Sequence, residues 1–343
     1  MDMKNRKWNA EFPDVPEHVH QTVLSTLAGL DDRKVKKVKR MKKNKIIILA
    51  AAMTAVLGMT VSASEIFKWN KQAQEVFEAD EEQQKELVMD QIAQEAYQTI
   101  SDGGLTLQAI QTIQDNNCFY ALFEITAADE SIQITPGHNM EFTIDYPDGS
   151  DPFSMLNWNF VDEHRQAVSN SRYFEITGTK QNPGEEDLTM KIQFTSLNAP
   201  GEKAVAGSPV LEGNWEFALN LHTTKPVRYE INKDYQIAGC AVTVKTVELT
   251  PISVKVTCEE EDIRQLETLE GINLDQADTL RSLFVNGIRY EDGTVIEEMG
   301  YQELTAGYSD GDYTKTARFS NVIDVDKASA LLVGDAMDEI LLP

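Results

Sequence analysis

Cysteine is scarce in this chain: three in 343 residues, Cys118, Cys240 and Cys258. None lies near the apolar stretch at residues 46–64, which excludes a lipid-modified cysteine as an anchor. Histidine is nearly as sparse, with five in all. His18 and His20 would fall on different faces of a helix, and His138, His164 and His222 show no metal-ligand spacing. There is no glycine-rich phosphate loop and no GxSxG nucleophile elbow. Carboxylates are so abundant that chance pairs carry no catalytic signal. These absences leave no cofactor, no metal and no catalytic set, and the chain reads as something other than an enzyme. Positive charge is also missing from most of the length. Beyond Lys45 there are 19 basic against 50 acidic residues, a field that repels phosphate backbones and excludes nucleic acid as a partner.

The basic residues gather instead at the start. Residues 1–45 hold 12 Lys/Arg and 6 Asp/Glu, and RKVKKVKRMKKNK at 33–45 has nine cations and no acid. The next 19 residues, Ile46 to Ser64, are uncharged. As a helix they would span ~28 Å, close to the ~30 Å hydrocarbon core of a bilayer. Cations beside an apolar span stay on the cytoplasmic side, so residues 1–45 are expected inside and everything from 65 onward outside. The Lys34–Lys45 stretch is placed to touch anionic lipid headgroups. Val61-Ser62-Ala63 resembles a signal-peptidase site, yet the preface of 45 residues is far longer than an ordinary n-region. Retention as a single transmembrane helix is therefore the expectation.

Within the arm, Val15, Val19, Val23 and Leu27 recur every four residues, and Leu24 and Leu30 widen the stripe. Pro16 and Glu17 suit a first helical turn. One short amphipathic helix cannot bury its own apolar face, so these six residues form a candidate surface for a partner or for lipid.

Residues 65–100 read as helical or partly so. After Gly103-Gly104 the period becomes two. Leu105, Leu107 and Ala109 alternate up to Asp115-Asn116-Asn117, and Phe119, Ala121, Phe123 and Ile125 alternate on the return, which predicts a hairpin. Further strands are expected at 131–135, 140–146, 171–177, 187–195 and 213–222, a spacing that suggests a sandwich. A second β block begins near Pro226, with a hairpin formed by CAVTVKTVEL (240–249) and ISVKVTC (252–258). Residues 259–283 read as helical, and Asn286-Gly287 and Asp292-Gly293 as turns. The fold class is thus mainly β: an N-terminal amphipathic helix and one transmembrane helix, followed by two extracytoplasmic β-sandwich-like domains. The divisions are 1–45, 46–64, 65–102, 103–225 and 226–343.

A hairpin centred on residue 249 would set Cys240 against Cys258, giving a possible disulfide. A tight turn on Thr250-Pro251 would set residue 261 there instead. The acidic stretches Asp145–Asp151 and Asp310-Gly311-Asp312 lack the full EF-hand pattern and read as turns rather than calcium loops.

The arm VPEHVHQTVLSTLAGL, the basic stretch, the single span, Phe67 and Trp69 beyond it, the hairpin at 103–125 and VKTVELTPISVKV together resemble a known arrangement. The chain is similar to anti-sigma-factor-like single-pass membrane proteins of Gram-positive bacteria, which carry β-domains of unknown function outside the membrane. The resemblance implies a membrane-anchored regulator that senses an extracytoplasmic signal or ligand and binds a sigma factor inside. The His-x3-Cys-x2-Cys motif of zinc-type anti-sigma domains is absent, so such contact would use the Val15–Leu30 helix. The alternative is a cell-envelope binding or structural module whose arm is only an anchor.

Overall fold

Why the chain turns where it does is visible from the first described residues. The computed structural model describes residues 69–146, 153–161, 169–180, 188–201, 208–221, 224–271, 280–297 and 301–343. The arm with Val15, Val19, Val23, Leu24, Leu27 and Leu30, the Lys34–Lys45 stretch and the apolar stretch 46–64 lie outside them. Among the described residues no helix is long and apolar enough to cross a membrane.

Helix α1 (Lys71–Phe77) starts at Asn70, whose Oδ1 accepts from the backbone of Gln72 at 2.8 Å. Helix α2 (Glu81–Met89) starts in a capping box between Asp80 and Gln83. The helical expectation for 65–100 ends there, because Ala93–Asp102 is strand β1. A bulge between Glu95 and Gln98, with Tyr97 at φ 25, resets the side-chain alternation and hides the strand from a periodicity count.

The first half continues with β2 (Leu105–Gln114), β3 (Cys118–Ala127), β4 (Asn139–Asp145), β5 (Phe153–Phe160), β6 (Ser171–Lys180), β7 (Leu188–Asn198) and β8 (Pro209–Leu221). The hairpin expected at 105–125 forms, with Gln114 opposite Phe119. The strand expected at 131–135 shrinks to one bridge between Ile134 and Ser169, and the alternation of β5 is broken by an irregularity between Phe153 and Met155. Strands β1-β2-β3-β6-β5 form one sheet and β4-β7-β8 a second. Between them lies an apolar core rich in rings, including Phe119, Phe123, Phe174, Phe194, Trp215 and Phe217.

The second half holds β9 (Val227–Ile237), β10 (Cys240–Leu249), β11 (Ser253–Glu259), α3 (Glu260–Glu270), β12 (Val285–Tyr290), β13 (Val295–Glu297), β14 (Tyr301–Ser309), β15 (Asp312–Phe319), β16 (Ala328–Val333) and β17 (Asp338–Leu341). Asn286-Gly287 is not a turn: β12 runs through it. A Cβ on Gly287 would lie 2.8 Å from the Ile296 carbonyl, so glycine serves a close backbone approach there.

The second half repeats the first. Its sheets run β9-β10-β11-β15-β14 and β12-β16-β17, with β13 added beyond β12. Matching each strand to its counterpart also matches the details at one constant offset through the first three strands. The β1–β2 turn has Gly103 and Gly104 at φ 51 and 85, and the β9–β10 turn has Ala238 and Gly239 at φ 49 and 83, both suited to a type I′ turn. Bulges fall at Ile110 in β2 and Lys245 in β10. The next turns close alike: Asp115 N donates to Cys118 O at 3.0 Å, and Thr250 N to Ser253 O at 2.9 Å. Lys180 N reaches Asn117 O at 2.6 Å, and Phe319 N reaches Ile252 O at 2.8 Å. Both halves belong to one compact unit.

Candidate functional site

The β2–β3 and β10–β11 turns occupy equivalent places in the two halves, and they meet each other. Asp115 is fully buried. Its Oδ1 accepts from the backbone amides of Asn117 and Cys118 at 2.7 and 2.6 Å. Its Oδ2 accepts from Ser253 Oγ at 2.6 Å and from Thr250 Oγ1. Asn117 Nδ2 donates to Ser253 Oγ at 3.0 Å, and Lys180 Nζ donates to the Asp115 carbonyl at 2.7 Å. A buried carboxylate with four donors is satisfied, and charge-assisted bonds of this kind are about twice as strong as neutral ones. Burial pulls the Lys180 ammonium below its ordinary value, against the opposing field of Asp115. Asp115 contacts Thr250, its own counterpart, which is the geometry of an isologous interface within one chain.

Helices α1 and α2 lie over this seam. Trp69, Ala73, Phe77 and Leu87 share a core with Ile113, Tyr120 and Leu122 of the first half and with Ile252 and Val322 of the second. Phe77 meets Tyr120 edge-on at 5.4 Å, and the Arg318 guanidinium stands over the Phe77 ring at 4.9 Å. Gln83 Nε2 donates to the Val322 carbonyl at 2.9 Å. On the first half, Asn70 N donates to Gln111 Oε1 at 3.1 Å and Asn70 Nδ2 to Tyr173 Oη at 3.2 Å. Glu175 Oε1 accepts from Tyr120 Oη at 2.8 Å and from Gln72 Nε2 at 3.1 Å. Burial pushes the Glu175 carboxyl above its ordinary value, outweighing those two donors and the Arg318 charge. Burial pushes the Tyr120 phenol up as well, aided by the Glu175 charge.

Among the described residues no group of His, Cys, Asp and Glu could hold a metal ion. In the turn Asp310-Gly311-Asp312, the carboxylate of Asp312 pairs with Lys245. Of the carboxylates lining the cleft at Glu270, Arg281, Ser282, Asp335 and Asp338, Glu270 accepts from the backbone of Ser282 at 3.2 Å and Asp338 from that of Ala238 at 2.9 Å.

The sequence-derived site residues fare differently. The six residues of the arm stripe lie outside the described residues. Cys240 and Cys258 are not brought together: Cys240 stands opposite Ile237 and Cys258 opposite Val244, and neither is in a disulfide. The turn is centred between Leu249 and Val254, and the bulge at Lys245 recovers only one residue of the offset, leaving Cys258 opposite Val244 rather than Cys240. Burial pushes the Cys258 thiol up to about 12, which makes it inert. The seam residues Asp115, Glu175 and Arg318 were missed. The run CFYALF (118–123) beside Asp115 reads as a strand buried on both faces, but it singles out none of Asp115, Glu175 and Arg318.

No family model and no curated protein matches the chain. Among solved structures it is similar to a conserved domain protein from Bacillus anthracis, at 12% identity and a TM-score of 0.45, covering 71% of this chain and 76% of that one. It is also similar to the C-terminal domain of the AgI/II polypeptide BspA from Streptococcus agalactiae, at 13% identity and a TM-score of 0.11, covering 63% of this chain and 82% of that one.

Proposed function

We propose that the chain is a membrane-anchored regulator of anti-sigma type, whose repeated β region senses an extracytoplasmic signal and whose cytoplasmic arm binds a sigma factor. One observation carries this reading. The first described residues after the apolar stretch, Trp69–Phe77, are docked on the seam between the two halves rather than on one of them. A ligand that moves either half against the other therefore acts on the segment leading to the apolar stretch. The charge division supports the same reading: nine cations and no acid at 33–45, against 50 acids beyond residue 45. The arm stripe Val15, Val19, Val23, Leu24, Leu27 and Leu30 supplies the partner surface, and the Lys34–Lys45 stretch the lipid contact.

The test is a cross-linked capture of the full-length protein from its native membrane, beside a Val19→Asp/Val23→Asp/Leu27→Asp variant. Recovery of a sigma factor with the native chain alone supports the regulator. Recovery with neither, under conditions that preserve known sigma complexes, overturns it in favour of an envelope-binding module.

A further inference from the structure

The sheet face under α1 and α2 has a counterpart in the second half that carries polar side chains. Where the first half presents Ile113, Tyr120 and Leu122, the equivalent positions are Glu248, Lys255 and Thr257. Glu248 there takes a 2.7 Å bond from Arg228 on the neighbouring strand. The apolar face of the first half is shaped for one occupant, residues 69–89 of the same chain.

That occupant is poorly equipped to be a permanent layer. Its helices have 7 and 9 residues, shorter than the ~12–15 at which isolated helices become even marginally stable. It is held by the Asn70 and Gln72 bonds at one end, by Gln83 and Leu87 at the other, and by Ala73 and Phe77 buried between them. Docking also leaves Gln111 Nε2, on a side chain only 2% exposed, without a hydrogen-bond partner among the described residues. An unsatisfied buried donor works against the docked state.

We infer that residues 69–89 form a detachable strap across the seam, which opens as a unit while both β halves stay folded. Docked, the strap ties the halves through Gln83 to Val322 and through Phe77 under Arg318. Released, it frees the chain toward residue 68 from the seam and bares Ile113, Tyr120 and Leu122. Its role as the relay to the cytoplasmic arm rests on the regulator reading above; its detachment does not.

Native-state hydrogen exchange on the full-length protein in its membrane, resolved by peptide, tests the strap directly. Amides of 71–89 are expected to exchange together, roughly tenfold or more faster than those of β3 and β11. Phe77→Ala is expected to speed strap exchange roughly tenfold further with β3 and β11 unchanged. Exchange of 71–89 only at the rate of β3 and β11, or loss of protection throughout in Phe77→Ala, would overturn the strap whatever is captured by the arm. Sigma-factor capture that fails while the strap exchanges as described overturns the regulator reading and leaves the strap standing.

Discussion

The two halves share strand order, turn conformations and bulge positions, yet they fill their interiors with different chemistry. In the first, Phe123 lies 5.2 Å from Phe194 and 5.3 Å from Phe217, edge to face, in a mesh of rings that continues through Phe174 and Phe160. In the second, the position of Phe123 is Cys258, and the surrounding core is Val242, Val244, Val256 and Leu331, with Ile263 and Leu266 supplied by α3. The backbone plan is thus independent of the packing solution. One half interlocks rings whose quadrupoles fix their angles; the other relies mainly on aliphatic side chains, with Tyr313 opposite Cys258, and brings in a helix to take up the space.

The largest effect is expected where this contrast is sharpest. Phe123→Ala removes a ring held on two sides and should cost about 3–5 kcal/mol, seen as a lower urea midpoint. Cys258→Ala, at the equivalent place, should cost about 1 kcal/mol. Comparable losses at the two positions would break the claim that only the first core depends on interlocked rings.

The matched turns give a smaller and oppositely signed pair. A Cβ on Gly103 would lie 1.8 Å from the Glu212 carbonyl, because the start of β8 crosses that turn, and Asn214 N donates to Asp102 there at 2.9 Å. Gly103→Ala should therefore destabilise by about 2–3 kcal/mol. Ala238 holds the same left-handed conformation at φ 49 with a side chain already in place. Ala238→Gly relieves its strain but loosens the unfolded chain, so thermal denaturation should show between no change and about 1 kcal/mol of gain. A loss from Ala238→Gly as large as that from Gly103→Ala would mean that the two turns are not equivalent.

How much of this was legible depended on whether local pattern and burial agreed. The hairpins at 105–125 and 240–258 were readable because each alternates cleanly away from its tip, and the mainly β, sandwich-like character followed from them. Strand β1 was lost to its bulge, and β5, FSMLNWNF, to the irregularity between Phe153 and Met155 that breaks its alternation. Asn286-Gly287 misled because the dipeptide is a strong hairpin signal, while the glycine answers to a carbonyl on β13. The repeat itself left almost no trace. Ile113 answers to Glu248 and Phe123 to Cys258, so a comparison of residue types finds no likeness where hydrogen bonds and dihedrals coincide. The seam was invisible for the same reason: Asp115-Asn116-Asn117 reads as a solvated turn until its counterpart arrives from a hairpin far along the chain.

The least of the expected effects separates the halves by pH. Glu175 faces Tyr120, Gln72 and the Arg318 charge, and its counterpart in the second half is Thr314, which does not titrate. Burial raises the folded carboxyl above its ordinary 4.5, so the folded chain holds a proton that the unfolded chain has already lost. The stability this contributes is fully present below 4.5 and is lost as pH rises through the folded value. Glu175→Gln cannot ionise and should escape that loss. Denaturation midpoints taken from about pH 4 to 8 should show the variant gaining on the native chain as pH rises, then holding a constant lead. Both chains carry every other carboxylate, so the difference isolates this one. A difference independent of pH would mean that Glu175 is as well solvated as a surface acid, which would require the strap to be already lifted from the seam.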